Sequence, residues 1–353
     1  MAKIDELLRT LVAQQGSDLH IKSGEPPVYR IHGQLVRSSM PVLSSEDTKA
    51  LLYEVLNDER RERYEKTFQL DMSYSIPGVS RFRVNVFRQK NAVGAVLRVI
   101  PLTIKTIDEL GLPQIMKKVC LLPRGLILVT GPTGSGKSTS LAAMIDLIND
   151  NKSCHIITIE DPIEFLHRDK RACVNQREVG IDTHSFAAAL KHVMRQNPDI
   201  IMVGEMRDLE TIQLAITAAE TGHLVLATLH TADAAQTVDR IIDVFPPGQQ
   251  QQVRLQLSTT LQAVFSQALL PRSDGKGRTV AYEVLICTPA IRSIVREGKT
   301  HQLYSNIQSG AKYGMITLDA NLKDQYLKGL VNLEDAIAKS SNPQELEKLL
   351  GKV

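Results

Sequence analysis

Tryptophan is absent from this 353-residue sequence, and cysteine occurs only four times. The four cysteines are far apart in the chain and form no pair of the kind that binds a metal ion. We therefore expect them to be reduced and mostly buried, as small hydrophobic side chains are. Without tryptophan, a surface on which nucleic-acid bases stack is not expected to dominate the protein. The cysteines are Cys120, Cys154, Cys173 and Cys287.

Long apolar runs and a strong net charge are missing as well. No apolar run reaches the roughly 20 residues that a membrane span requires, and the charged start, MAKIDELLRT, lacks the apolar core of a signal peptide. The net charge is only +3, whereas dedicated nucleic-acid binders usually have a strongly basic face. The sequence therefore predicts a cytoplasmic protein and argues against nucleic acid as its partner.

The first hundred residues have the pattern of a small α+β domain. Apolar residues at helical spacing predict a helix over 1–16, and a Ser-Ser-Glu-Asp cap predicts another over 44–57. Residues 80–100 alternate between apolar and polar side chains, which predicts a β-hairpin. The sequence changes character after this hairpin. We therefore place the first domain over residues 1–101 and a linker over 102–112.

Strands and helices alternate after the linker, which predicts an α/β domain over residues 113–353. The carboxyl-terminal region, from about residue 288, is predicted to be helical, and Gly275–Gly277 marks a turn between two strands. The other predicted elements are strands over 126–130, 155–159, 200–203 and 224–229, and helices over 137–148, 185–195 and 209–220.

A glycine-rich segment, GPTGSGKS, matches the phosphate-binding pattern G-x-x-x-x-G-K-[ST] completely, in the required context between a strand and a helix. Gly134 and Gly136 allow the backbone to turn so that successive N–H groups face a phosphate, and the helix N-terminus adds positive potential. Lys137 is expected to reach the β- and γ-phosphates of ATP, and the Ser138 hydroxyl to bind Mg²⁺. The predicted nucleotide-binding residues are Gly131, Pro132, Thr133, Gly134, Ser135, Gly136, Lys137, Ser138 and Thr139.

Three further strands of the predicted sheet also end in polar residues, at the edge where parallel sheets bind ligands. The second strand ends at Glu160 and Asp161, with Glu164 close behind, the third at Glu205 and the fourth at His230. Each residue alone could be an ordinary surface group, but their common placement predicts a catalytic edge. Glu205 is suited to be the general base that deprotonates the attacking water. His230 could hydrogen-bond the γ-phosphate, and Glu164 joins these two as a catalytic candidate.

The expected magnesium ligands depart from the usual Walker B pattern. Gly204 stands directly before Glu205, where an acidic magnesium ligand is often found. We therefore expect Mg²⁺ to rely on Ser138, water and Glu160 or Asp161.

Four segments in this order, GPTGSGKST, IITIEDPIEFLH, DIIMVGEMRD and TGHLVLATLHT, resemble the type II/type IV secretion ATPase superfamily. Three more, GSDLHI, RFRVNVFRQ and AIRSIVREGK, are similar to its type IV pilus retraction motors. The resemblance covers nearly the whole chain. The sequence departs mildly from the family pattern in the last segment, which usually reads AIRNLIREGK: Ser293, Ile294 and Val295 replace Asn, Leu and Ile.

The resemblance implies a PAS-like N-terminal domain, a RecA-like P-loop ATPase domain and a ring-shaped homohexamer that binds ATP between the two domains. It implies a motor that couples Mg-ATP hydrolysis to pilus retraction, and so to twitching motility. Such a motor acts on an inner-membrane platform protein and removes pilin from the pilus base only indirectly. The protein would lie at the cytoplasmic face of the inner membrane, held there by protein partners alone.

Four arginines of the predicted hairpin bear on this resemblance. It implies that Arg81 and Arg83 face the nucleotide, where the planar guanidinium can bind developing phosphate charge. The alternative is that these arginines belong to a solvated strand face. Arg88 and Arg98 are weaker candidates for the same role.

Two other functions share the predicted core. A RecA-like DNA translocase or helicase has the same fold, but the small net charge and the lack of a basic-aromatic tract count against it. A scaffold that binds ATP without hydrolysing it has no need of a base such as Glu205. The helix that follows Thr288, with Arg292 and Arg296 on a polar face, is either an ordinary surface helix or part of the retraction output.

Overall fold

A computed structural model describes residues 3–100 and 103–351, which divide into two compact units. The first unit comprises the chain up to Thr103 together with Pro162–Leu166, and the second comprises Ile104–Asp161 and the chain from His167 onwards. The predicted boundary at residues 101 and 102 lies outside the described residues, so the domain limits stay a prediction. The grouping of Pro162–Leu166 with the first unit was not predicted.

The first unit is a six-stranded antiparallel sheet with three helices. Its strands lie in the order β3-β2-β1-β6-β5-β4. The elements are α1 (Lys3–Ala13), β1 (Gly16–Ile21), β2 (Val28–Ile31), β3 (Gln34–Arg37), α2 (Ser45–Tyr53), α3 (Asp58–Thr67), β4 (Gln69–Ile76), β5 (Ser80–Gln89) and β6 (Ala92–Ile100).

The predicted helix over 44–57 starts as expected and ends early. Ser44 caps α2 and forms a reciprocal capping box with Asp47. The helix ends at Tyr53, because Asn57 accepts a hydrogen bond from the backbone N–H of Arg60 and so caps a separate helix, α3.

The predicted hairpin is present as β5 and β6, joined by a tight turn with two residues at positive φ. Phe82, Val84 and Val86 are fully buried in the core of the first unit. Arg81 and Arg83 alternate with them and are half-buried on the other face of the sheet. The hairpin therefore presents both arginines on one face, as the alternation predicts.

The second unit is a seven-stranded mixed sheet, with strand order β13-β12-β7-β11-β10-β8-β9, in which only the β12–β13 pair is antiparallel. Its strands are β7 (Gly125–Thr130), β8 (His155–Glu160), β9 (Cys173–Glu178), β10 (Ile200–Val203), β11 (Leu224–Leu229), β12 (Leu261–Pro271) and β13 (Arg278–Ile286). Its helices are α4 (Ile115–Cys120), α5 (Lys137–Asn151), α6 (Phe186–Val193), α7 (Leu209–Glu220), α8 (Ala234–Asp243), α9 (Pro247–Thr260), α10 (Pro289–Glu297), α11 (Leu303–Ser309), α12 (Leu318–Leu327), α13 (Leu333–Lys339) and α14 (Pro343–Leu349).

Apolar cores cover both faces of this sheet. Strand β7 is buried along its whole length, and alternate residues of β7, β8, β10 and β11 enter opposite cores. The predicted fold class is confirmed: an α/β unit follows a smaller α+β unit and ends in a helical region. In the part of the chain that the structure describes, no helix has the length and apolar character needed to cross a bilayer.

Four elements of the second unit were not predicted, namely α4, β9, α8 and α9. Strand β9 has the sequence CVNQRE and lies at the sheet edge, so it lacks the apolar alternation that marks a strand. Its first residue, Cys173, is exposed, whereas Cys120 and Cys287 are buried as expected and Cys154 is partly buried.

The predicted helix after Thr288 is α10, which Thr288 caps and Gly298 ends in the left-handed conformation. Arg292 and Arg296 lie four residues apart on one face of α10, where Arg296 is exposed and Arg292 is partly buried. The Arg292 guanidinium donates hydrogen bonds to the carbonyl oxygens of Ser258 and Thr259, at 2.7 and 2.8 Å, at the end of α9. Arg292 therefore caps a neighbouring helix, because the last carbonyls of a helix have no partners within it.

Candidate active site

The phosphate-binding segment lies between β7 and α5, the context that its pattern requires. Gly134 and Gly136 have φ angles of +80° and +91°, and Gly136 is the N-cap of α5. The Lys137 ammonium donates hydrogen bonds to the carbonyl oxygens of Gly131 and Pro132, at 2.8 and 3.1 Å. A cation is thus held across the loop, directly at the helix N-terminus, where the positive end of the helix dipole adds to its field.

Glu205 follows β10 and is fixed through the backbone on both sides. The N–H of Gly204 donates to the carbonyl of Ile159 in β8 at 2.8 Å, and the N–H of Met206 donates to the carbonyl of Thr228 in β11 at 3.1 Å. These bonds continue the sheet beyond the end of β10, so Glu205 is held at the carboxyl edge of three neighbouring strands. This is the edge at which parallel sheets bind ligands.

Gly204, where the usual Walker B pattern has an acid, packs closely against the backbone of β8. A Cβ atom added to Gly204 would lie 3.1 Å from the carbonyl oxygen of Ile159 and 3.4 Å from the Cα of Glu160. Both contacts are tighter than, or at the limit of, ordinary van der Waals distance. A side chain at residue 204 would therefore require β8 to shift slightly away from β10.

The Glu205 carboxylate is bound by two side chains. Its Oε1 atom lies 2.6 Å from Nε of Arg207 and 3.0 Å from Nε2 of His230. The other ring nitrogen of His230 lies 3.5 Å from the Thr133 hydroxyl in the phosphate-binding loop. A chain of polar contacts therefore runs from the loop through His230 to Glu205. The sequence predicted that these three strand ends meet, and the second unit brings them together.

The electrostatics keep Glu205 in its charged form. Burial raises the pKa of Glu205, but the hydrogen bond from Arg207 and the charges of His230 and Arg207 outweigh burial, so the net pKa is below the ordinary value. Conversely, the pKa of Arg207 is raised, first by its hydrogen bond to Glu205 and then by that carboxylate's charge. A glutamate ionised at neutral pH is in the form that a general base requires.

Arg207 is not among the predicted site residues, although its spacing from Glu205 carries a signal. Arg207 stands two residues after Glu205, beyond the end of a strand and before the start of α7. In an extended segment, side chains two residues apart lie on the same side. The spacing E-x-R after a buried strand therefore indicates an ion pair, which the structure shows.

Glu160 and Asp161 have different surroundings. Glu160 is buried at the end of β8 and accepts hydrogen bonds from the Thr158 hydroxyl at 2.6 Å and the Gln176 amide at 3.0 Å. Asp161 is exposed, and its charge contributes to the raised pKa of Arg207. Within residues 3–100 and 103–351, no three or more His, Cys, Asp or Glu side chains form a metal-binding cluster.

The remaining candidates lie in the first unit. The Arg81 guanidinium donates to the Ser73 hydroxyl at 2.7 Å, and Nη1 of Arg83 lies 3.7 Å from Oε1 of Glu164. The sequence placed Glu164 near the strand ends of the α/β domain, and the structure instead pairs it with Arg83 inside the first unit. This pairing could not be predicted, because it joins residues 81 positions apart in the chain.

The two weaker candidates have structural partners of their own. Nε of Arg98 lies 2.7 Å from Oδ1 of Asp18, a buried carboxylate of β1. The Arg88 guanidinium carbon lies 4.6 Å from the centroid of the Phe68 ring, in a cation–π contact. Both contacts account for these arginines without a nucleotide.

Comparisons with known proteins identify the family of this chain. The profile of the family described as "Type II/IV secretion system protein" matches residues 1–338. The chain is 52% identical over 341 residues to the "Type IV pilus retractation ATPase PilT" of Pseudomonas aeruginosa, covering 97% of this chain and 99% of that protein. It is 48% identical over 340 residues to a "Twitching motility protein" of Neisseria gonorrhoeae, covering 96% and 91% respectively.

A solved structure shares the fold over the whole length. The crystal structure of the pilus retraction motor PilT with bound ADP has a TM-score of 0.92 and 49% sequence identity, and the match covers 99% of this chain and 100% of that one. These relatives are named for pilus retraction and twitching motility, which gives the alternative of a DNA translocase no support.

Proposed function

Because the chain belongs to the type II/IV secretion system protein family and is an ATPase, we propose that it powers the retraction of type IV pili. The observation that carries the catalytic part of the proposal is the contact chain from Thr133 through His230 to Glu205. It places an ionised carboxylate and an imidazole beside a phosphate-binding loop. The names of the relatives support the retraction part.

The nucleotide is proposed to bind at the loop of residues 131–139, with Lys137 exchanging its carbonyl partners for the β- and γ-phosphates. Glu205 acts as the general base for the attacking water, and His230 contacts the γ-phosphate. Arg207 keeps the Glu205 carboxylate ionised and oriented between turnovers, because its guanidinium is the charged group closest to Oε1 of Glu205.

A magnesium ion is proposed to bind together with the nucleotide. Mg²⁺ usually keeps several waters and takes only one or two protein ligands besides phosphate oxygens. Ser138, exposed in the first turn of α5, supplies a hydroxyl for this purpose, and Glu160 and Asp161 supply carboxylates at the end of β8. When bound, the ion would neutralise charge on the phosphates.

The assembly is proposed to be a homohexamer at the cytoplasmic face of the inner membrane. It would act on a platform protein of the pilus and reach pilin only through it. Arg81 and Arg83 are proposed to bind phosphate charge at the loop of a neighbouring subunit, with Glu164 as the acid that pairs with Arg83 before that contact forms.

The proposal is tested first with Glu205→Ala. Binding of ATP should survive, since the phosphate-binding loop is unchanged, while hydrolysis should fall by roughly 10²–10⁴-fold, as expected for the loss of a general base. Bound nucleotide and released phosphate are measured on the same sample. Glu210→Ala is the matched control, because it removes an exposed carboxylate of α7 that pairs with Lys191 and should leave turnover unchanged.

The retraction role is tested separately in a strain that lacks its own retraction ATPase. The unchanged chain should restore twitching and Glu205→Ala should not. Failure of an ATP-hydrolysing chain to restore twitching would reject the retraction role and leave the ATPase assignment intact. Normal phosphate release by Glu205→Ala would reject the assignment of Glu205 as the general base.

Lys137→Ala provides an independent test of the loop. Removing the ammonium deletes the cation at the helix N-terminus, so both nucleotide affinity and turnover should fall. Ordinary turnover in this variant, measured as phosphate release at saturating ATP, would contradict the assignment of the loop as the phosphate site.

A further inference from the structure

A buried glutamine of β12 contacts the phosphate-binding loop. Gln267 is 4% exposed, and its Nε2 donates to the carbonyl oxygen of Ser135 at 2.8 Å. Its Oε1 accepts from the hydroxyl of Ser140 at 2.9 Å. The orientation of the amide is unambiguous, because the Ser135 carbonyl can only accept a hydrogen bond and must therefore face the NH₂ group.

The register of the sheet explains why Gln267 reaches this point. Strand β12 pairs in parallel with β7, and Ser266 lies opposite Thr130, the last residue of β7. The next residue, Gln267, therefore lies beside the start of the loop. A Cβ atom added to Gly131 would lie only 2.2 Å from the Gln267 carbonyl oxygen, so the two backbones are in direct contact there.

The hydrogen bond to Ser135 determines the orientation of one peptide group. The carbonyl of Ser135 and the N–H of Gly136 belong to the same planar trans peptide, in which the two groups point in opposite directions. Because Gln267 holds the carbonyl towards β12, the Gly136 N–H points away from β12. In a phosphate-binding loop of this type, inward N–H groups of this kind form the cradle.

The bond to Ser140 couples the same amide to α5. Ser140 is 3% exposed, and its backbone N–H donates to the carbonyl of Gly136 at 3.0 Å. Gln267 thus ties together the peptide before Gly136 and the first turn after it. A buried amide with both ends bonded holds its partners firmly, since each lost bond leaves a buried polar group unsatisfied.

We propose that Gln267 is a positioning residue for phosphate binding: it presets the 135–136 peptide with its N–H aimed at the phosphates of the nucleotide. This role rests on the proposed use of residues 131–139 as the nucleotide site. It assigns a function in nucleotide affinity to a strand, β12, that carries none of the recognised motifs.

The test replaces the donor and keeps the shape. Gln267→Met keeps the length of the side chain and removes the donor that faces the Ser135 carbonyl, so the peptide loses its anchor. The KM for ATP and the Kd for ADP should rise by about tenfold, the usual effect of leaving one buried acceptor unsatisfied. The kcat should stay within about threefold, because Glu205 and His230 have no contact with this amide. Gln267→Leu, also uncharged and without a donor, makes the same prediction if the methionine variant does not fold.

Gln325→Met is the matched control. Gln325 is also a buried amide of the second unit, and its Nε2 donates to the carbonyl of Val280 in β13 and not to a carbonyl of the loop. This variant should lose thermal stability to a similar extent but keep the KM of the unchanged chain.

The outcomes separate the possibilities. A raised KM with a steady kcat in the Gln267 variants alone supports the proposal. An unchanged KM in the Gln267 variants, or an equal rise in Gln325→Met, overturns it and leaves Gln267 a structural residue. If the unchanged chain itself does not bind ADP, that result refutes the assignment of residues 131–139 as the nucleotide site.

Discussion

Glu283, a buried carboxylate in β13, is expected to make the stability of the second unit depend on pH. It is 3% exposed, and its Oε1 accepts a hydrogen bond from the backbone N–H of Ala234 at the start of α8, at 2.9 Å. Burial raises the pKa of Glu283 to about 7, the bond from Ala234 opposes this, and the charges of Asp233 and Asp319 add to it. The group is therefore mostly protonated in the folded chain at pH 6.

The size of the effect follows from this pKa. A rise from the ordinary value of 4.5 to about 7 corresponds to about 3 kcal/mol, at 1.36 kcal/mol for each pKa unit. Between these two values the folded state binds more protons than the unfolded state. The stabilisation is therefore complete below pH 4.5 and is lost as the pH rises through 7.

Glu283→Gln is the informative substitution, because it preserves the shape and an acceptor oxygen but cannot ionise. The free energy of unfolding of the unchanged chain, relative to this variant, should fall by about 3 kcal/mol between about pH 4 and pH 8. Urea titrations of both chains at constant ionic strength measure the difference. Glu297→Gln is the control, since that exposed carboxylate has its pKa lowered by Lys299 and should not produce this slope. Parallel curves, within about 1 kcal/mol over this range, would refute the reasoning.

Two further predictions concern the arginines. If Arg81 and Arg83 act across a subunit boundary, mixing a chain that carries both Arg→Ala changes with a Glu205→Ala chain should restore part of the ATPase activity, since some interfaces then have both intact parts. No recovery despite verified co-assembly would reject this arrangement. Arg292→Ala should lower the free energy of unfolding by roughly 1.5–3 kcal/mol, because it removes charged hydrogen bonds to the end of α9. Arg296→Ala, on the exposed face of α10, should change it by less than about 0.5 kcal/mol in the same thermal or urea titration.

Local patterns were sufficient for much of the fold. The alternation over residues 80–100 predicted β5 and β6, because period two is a property of neighbouring residues. The elements β10, α7 and β11 have the predicted bounds. Their ends are recognisable because the capping residues of a helix separate it from the apolar strands before and after it. Patterns failed at α9 and β9, where polar side chains hide the period, and at α4, which has only 6 residues. Helix α8 was not predicted although its buried residues Ala234, Val238 and Ile241 recur at helical spacing.

The sequence by itself determined which polar groups reach the carboxyl edge of the sheet: the loop of residues 131–139, Glu205 and His230 each begin within two residues of the end of a strand. Their roles stay predictions, but their order along the chain and the parallel sheet are sufficient to bring them to one edge. What surrounds them was decided by tertiary structure alone. Gln267 reaches the loop because β12 pairs with β7, and Glu164 pairs with Arg83 because its short segment packs in the first unit. These contacts join residues far apart in the chain, so strand order and packing, which no local pattern encodes, determine them.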